Sequence, residues 1–116
     1  MGLPPENIID IAASLRQASN DGPIWSVNSE QLNVNLLRLP TGDGIAEHVN
    51  NEVDVVLVIF EGSGELTVDG VTYPLSPGRV LLVPRGATRT MRCTAGPLIY
   101  LTCHRRRAGL MPSIKA

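Results

Sequence analysis

Residues 53–86 read VDVVLVIFEGSGELTVDGVTYPLSPGRVLLVPRG, with runs of β-branched and apolar residues separated by turn chemistry. Residues 53–60 form a β-type run, and Glu61-Gly62-Ser63-Gly64 closes it as a turn. Residues 66–68 and 71–73 flank Asp69-Gly70, a dipeptide that favours positive φ at both central positions of a two-residue type I′ hairpin. Leu75-Ser76-Pro77-Gly78 predicts a further turn, 80–83 a strand, and Pro84-Arg85-Gly86 another turn. Strands at roughly ten-residue spacing with turn residues between them predict an all-β sandwich or barrel. Residues 55–60 are apolar at odd and even positions alike. One face of that strand lines the interior, and the other calls for a second sheet or a partner chain, so a homodimer is expected.

Upstream, Leu32-Asn33-Val34-Asn35-Leu36 alternates with period two until Pro40-Thr41-Gly42-Asp43-Gly44 breaks it. Residues 7–18 predict a short packing helix. Ile8, Ile11, Ala12 and Leu15 share a face, Asn7 is its expected N-cap, Asp10 sits in the first turn, and Asn20-Asp21-Gly22-Pro23 ends it. Trp25 is expected as a core plug. Downstream, 88–93 and 98–103 read as the two arms of a hairpin around Thr94-Ala95-Gly96-Pro97. That register puts Cys93 and Cys103 beyond disulfide reach, and neither fits a zinc or CxxC spacing, so both are expected as buried, inert thiols. Arg105-Arg106-Arg107 begins a tail that is either solvated or a local anion contact. The chain thus divides into a helix and lead-in (1–24), a barrel (25–104) and a tail (105–116), all within one domain, 1–116.

With 116 residues, 43% of them apolar and 18% charged, the chain can build a core of its own. Ten Lys and Arg against eleven Asp and Glu leave no basic field for nucleic acid. Trp25, Phe60, Tyr73 and Tyr100 are all the aromatics, too few for base-stacking platforms. The start lacks the basic and apolar regions of a secretory signal, and no apolar run is long enough to span a bilayer. A soluble cytoplasmic protein with no membrane partner is the expectation.

From Gly42 to Arg92 the order of strands and turns resembles the cupin superfamily. Its first motif, G-x5-H-x-H-x4-E-x6-G, is matched by Gly42, His48 and Gly62, with Asn50 and Val55 at the second His and Glu positions. Its second, G-x5-P-x-G-x2-H-x3-N, is matched by Gly78, Pro84 and Gly86, with Arg89 and Cys93 at the last two positions. The resemblance implies a double-stranded β-helix (jelly-roll) barrel preceded by a short helix. Cupin metal centres use three His and one Glu, of which only His48 is present. An amide is a poor transition-metal ligand, valine cannot ligate, and a guanidinium repels a divalent ion. The usual metal site is therefore expected to be absent, and no cofactor is expected.

A relocated site is the alternative. If the strand runs on regularly from His48 and Asn50, then Glu52 and Asp54 share their face and, with His104, could hold a divalent transition metal. If a loop or bulge between 50 and 55 flips the parity, Val55 faces inward and Asp54 outward. In the cupin register His48, Asn50 and Arg89 project into the barrel mouth, with Cys93 beside Arg89. Arg89 would grip a carboxylate or phosphate, and His48 and Asn50 would orient it. The same residues are equally readable as a buried network in which Arg89 neutralises Glu52 or Asp54. Three functions compete: a metal-independent module binding a small anionic metabolite, a metal-dependent isomerase or dioxygenase-like enzyme centred on His48, and an interaction protein with a filled barrel.

Overall fold

The computed structural model describes residues 2–17 and 22–106. Two long strands organise it, β4 (Val55–Val68) and β7 (Thr88–Arg105). They pair antiparallel throughout, from Val55 opposite His104 to Val68 opposite Arg89. Around them lie β1 (Gly22–Asn28), β2 (Leu32–Leu39), β3 (Gly44–Val49), β5 (Val71–Leu75) and β6 (Val80–Val83). The first half of β4 pairs with β6 and its second half with β5. The second half of β7 pairs with β2, which carries β1, and its first half pairs with β3. Among the described residues, seven strands thus form one hydrogen-bonded sheet that bends at the middle of β4 and β7 and encloses a core. The architecture is the all-β jelly-roll barrel with a short N-terminal helix.

The bends depart from the sequence reading. Residues 61–64 do not reverse the chain. They carry three successive register shifts, and β4 continues into the other half of the barrel. Residues 94–97 are likewise no hairpin turn, because both flanks pair with β4 rather than with each other. Glycine-rich segments read as reversals, but here they let a strand turn a corner beside an equally bent partner. Each bend also switches the inward parity. Val55, Leu57 and Ile59 face the core before the first bend, and Gly64 and Leu66 after it. In β7 the inward set changes from Arg89, Met91 and Cys93 to Leu98, Tyr100, Thr102 and His104.

Turn chemistry elsewhere is as expected. Asp69 and Gly70 have φ of 48° and 83°, and Val68 pairs with Val71 across them. Asp69 also clamps the start of β7: its carboxylate and its backbone N–H bond the N–H and C=O of Thr88, at 2.9 and 2.8 Å. At the N-terminus the helix is shorter than expected. Residues Pro5–Asn7 form a 3-10 turn, and α1 spans Ile11–Gln17. Asp10, not Asn7, supplies the cap, its Oδ1 accepting the Ala13 N–H at 2.9 Å. Ile8 is extended and exposed, outside the helical face. Residues 18–21 lie outside the described residues. Strand β1 starts at Gly22, ahead of the expected barrel boundary at 25, and β3 fills a span without a period-two pattern. Strand β7 runs to Arg105, one residue past the expected boundary at 104. Trp25 is only partly buried beside Leu36, its indole N–H donating to the Glu6 carbonyl at 3.1 Å.

The two faces of the first-half sheet differ in kind. Inward, Val55, Leu57 and Ile59 join Leu66, Leu98 and Tyr100 in the core. Outward, Val56 lies between Cys103 and Leu82, and Val58 between Leu101 and Val80. This second apolar surface crosses neighbouring strands. Val80 and Leu82 are 65% and 64% exposed.

Gly62 tests the bend. Its φ is +83°, and a Cβ there would collide with the Pro97 carbonyl and sit 2.8 Å from Leu98 Cα. Gly70 has the same φ with open space around it. Gly70→Ala should cost about 1–2 kcal/mol in urea denaturation. Gly62→Ala adds overpacking and should cost about 2–5 kcal/mol. Equal losses would mean that the bend does not depend on this close approach.

Candidate functional site

His48 on β3 and Arg89 on β7 are direct cross-strand partners, which brings their side chains together. Arg89 Nε donates to His48 Nε2 at 3.2 Å. The other ring nitrogen, Nδ1, lies 2.9 Å from the Ala46 carbonyl, in the part of β3 where the register slips. A carbonyl only accepts, so Nδ1 carries the proton and Nε2 offers its lone pair to Arg89. His48 is thus a neutral imidazole with both nitrogens engaged. Arg89 is 5% exposed, a cation held in the barrel wall.

These two side chains line a cavity of about 20 Å3 with Leu57, Leu66, Met91, Tyr100 and Thr102. Tyr100, Thr102, Leu57 and Leu66 are buried, while His48 is half-buried on the solvent side. Burial pushes the Tyr100 hydroxyl up from 10.0 to about 12, against the opposing pull of the Arg89 charge. The phenol is therefore a neutral donor at physiological pH. Behind it runs a polar strip: Ser26 Oγ donates to Asn35 Oδ1 at 2.8 Å, and Asn35 Nδ2 donates to Thr102 Oγ1 at 3.5 Å.

Of the four site residues expected from sequence, the structure brings together His48 and Arg89. Asn50 and Cys93 do not line the cavity. Asn50 organises the loop into β4: its Oδ1 accepts the N–H groups of Glu52 and Val53 at 3.0 and 3.3 Å, and its carbonyl accepts from Gly86 at 2.7 Å. Cys93 packs in the core against the bend at Gly96. Both cysteines are free, but Cys103 is only partly buried. Tyr100 and Thr102 were not singled out by sequence. Their signal was the alternation Leu98, Tyr100, Thr102, His104, which sets one face once the bend is placed correctly.

The loop also decides the parity question. Val55 is 1% exposed and points inward, while Asp54 is exposed and accepts the Arg85 N–H at 2.8 Å. The relocated cluster is not assembled. His48 lies at the cavity, whereas Glu52, Asp54 and His104 line a separate groove with Arg85 and Arg105. Among the described residues no group of three or more His, Cys, Asp and Glu side chains is placed to hold a metal ion. The residues at the metal positions do not fit one either, since Val55 is buried in the core and the single imidazole accepts from a guanidinium.

This interior pocket in a bent jelly-roll barrel is the arrangement of the cupin class. The family description "Cupin domain" matches residues 35–104, and the chain belongs to the cupin family. Among solved structures it is similar to a protein from Bacillus halodurans (16% identity, TM-score 0.74, covering 91% of this chain and 85% of that one). A protein from Thermus thermophilus is 25% identical, with TM-score 0.70 and coverage of 84% and 95%. A cupin-2 domain protein from Shewanella frigidimarina is 13% identical, with TM-score 0.69 and coverage of 85% and 95%. No curated protein matches the chain. No helix among the described residues is long and apolar enough to cross a membrane.

Tyr100 makes stability depend on alkaline pH. The unfolded chain releases this proton near pH 10, the folded chain only near 12. Above pH 10 the unfolded state therefore binds fewer protons, and stability falls between pH 10 and 12 by roughly 2–3 kcal/mol. Denaturation curves across that window should show this slope in the wild type and lose it in Tyr100→Phe. The same slope in both proteins would assign it to other groups.

Proposed function

We propose that this cupin binds a small anionic metabolite inside its barrel, without a metal ion, and acts as a cytoplasmic sensing or sequestering module. The observation that carries the reading is the guanidinium of Arg89, 5% exposed at the wall of an interior cavity. A cation in low dielectric attracts an anion far more strongly than one in water, and its planar fork suits a carboxylate. The neutral His48 acts through Arg89: by holding Nε it fixes which way the guanidinium faces. Asn50 and Cys93 support the barrel around this site rather than touching the ligand.

The test is thermal denaturation against a panel of small carboxylates and phosphates. Saturating ligand at about 100 times Kd adds about 2.7 kcal/mol to wild-type stability. Arg89→Met should lose that response, and an unchanged response in the variant would overturn the reading. Mass-spectrometric metal analysis of untagged protein is the companion measurement. Near-stoichiometric manganese, iron, nickel or zinc would favour a metal-dependent enzyme instead.

The assembly proposed with it is a homodimer through the outer face of β4, β6 and β7. Val56, Val58, Val80, Leu82 and Leu101 form an apolar surface there, bordered at Val56 and Leu82 by the groove that holds Glu52, Asp54, Arg85 and Arg105, and a second copy would remove it from water. Light scattering after size exclusion should give twice the 12.5 kDa chain mass, and Val80→Glu with Leu82→Glu should halve it while leaving the circular dichroism unchanged. A wild-type monomer would overturn this assembly.

A further inference from the structure

A second concavity lies outside the barrel interior, at the end of the sheet where β4 begins and β6 and β7 stop. Its volume is about 490 Å3, within the range of small-molecule sites. Its charged residues come from three separate pieces of chain. Glu52 and Asp54 stand on the loop into β4, Arg85 on the turn after β6, and Arg105 at the last position of β7. Each stands on backbone that is tied in place. Asn50 Oδ1 accepts the Glu52 N–H at 3.0 Å, Asp54 Oδ1 accepts the Arg85 N–H at 2.8 Å, and Arg105 pairs with Leu32 of β2. Leu32, Val56 and Leu82 give the groove an aliphatic lining. Val56 and Leu82 stand where it meets the outer face of the sheet, whereas the charged groups lie at or beyond the strand ends.

The pattern of sign selects the ligand. Two carboxylates and two guanidiniums balance, and among the described residues no ion pair joins them. A groove with no net charge gives a lone anion or cation little net attraction, whereas a dipolar ligand meets both signs at once. The bond from Asp54 to the Arg85 backbone also sets opposite charges on neighbouring pieces of chain. Such close poles suit an ammonium and a carboxylate borne by one carbon, rather than the distant ends of a peptide. The four charged residues are exposed, so each ionic contact is worth little alone and the aliphatic contact must add to them. We propose that this groove is a site for a free α-amino acid with an aliphatic side chain. Arg85 and Arg105 take its carboxylate, and Glu52 and Asp54 its ammonium group. Leu32, Val56 and Leu82 take its side chain. Asp54 serves the ligand through Oδ2, because Oδ1 is engaged by the Arg85 N–H. The site is separate from the Arg89 cavity and does not depend on what binds there.

The experiment follows the backbone amide cross-peaks of Glu52, Asp54 and Arg85 by NMR, at neutral pH and low salt, through four titrations. L-leucine is the full probe. 4-Methylpentanoate lacks its ammonium group, 3-methylbutylamine lacks its carboxylate, and glycine lacks its side chain. Leucine should shift the cross-peaks saturably, and each of the other three should bind at least about fivefold more weakly. Arg85→Gln should weaken leucine to a similar extent, and so should Asp54→Asn, whose amide oxygen can still accept the Arg85 N–H. Arg92→Gln removes the same charge from the other half of the sheet, where Arg92 pairs with Glu65, and should leave leucine binding unchanged. Either singly charged probe binding as tightly as leucine would overturn the dipolar ligand, and glycine doing so would overturn the aliphatic one. Arg92→Gln weakening leucine as much as Arg85→Gln does would overturn the assignment to this groove. No saturable shift with any probe would overturn the site itself.

Discussion

The barrel depends on the close approach of two backbones where β4 and β7 bend together. Gly62 lies so near Pro97 and Leu98 that no side chain fits between them. Gly96, facing the turn before β3, is held by its N–H donating to Thr41 Oγ1 at 2.8 Å. Because both strands turn at the same level, their ladder continues through the corner, and each half can take on its own flanking strands. Without the paired bends, β3 and β5 would lie in the plane of β2 and β6, and no interior would exist. The site follows from the same constraint. Arg89 precedes the bend and Tyr100 follows it, so folding the strand over brings two groups of one β7 to facing walls of a single cavity.

The parity switch explains how much of this was legible in the sequence. The Asp69-Gly70 hairpin could be read because its chemistry is local: two residues must take positive φ, and their neighbours need only pair. The double apolar character of residues 55–60 was legible too, with one face now in the core and the other an apolar outer surface. What could not be read was the continuation of strands through residues 61–64 and 94–97. A glycine that reverses the chain and a glycine that lets it bend are the same residue, and only the partner strand distinguishes them. Strand β2 misleads in another way. Its alternation is clear, but the polar members Asn33 and Asn35 face the interior, each opposite a polar residue of β7, His104 and Thr102. Leu36, on the opposite face, is fully buried outside the barrel core.

The candidate site was half legible for a related reason. His48 and Arg89 could be placed from motif spacing, since both lie on regular strands that pair directly. Asn50 could not, because it stands where the strand stops. A side chain that accepts from two backbone N–H groups is occupied in turning the chain, and the loop it builds makes Val55, rather than Asp54, face the core. The glycines and prolines that shape a cupin are intact, while the residues at its metal positions have changed character. Scaffold and site residues are therefore separable in this chain.

The ladder between β4 and β7 also constrains how the chain assembles. Val68 meets Arg89 across a short connection, and Val55 meets His104 across a much longer one. Loop closure is least costly at the near end, where Asp69 already grips both backbone groups of Thr88. Once that end is closed, every further rung is added to an existing one and brings only a little new chain into order. The least costly route to the barrel therefore runs like a zip from the Asp69–Gly70 tip, through the corner, toward His104. The cavity wall at Arg89 is laid down early on this route, and the Tyr100 side closes over it only after the corner has formed.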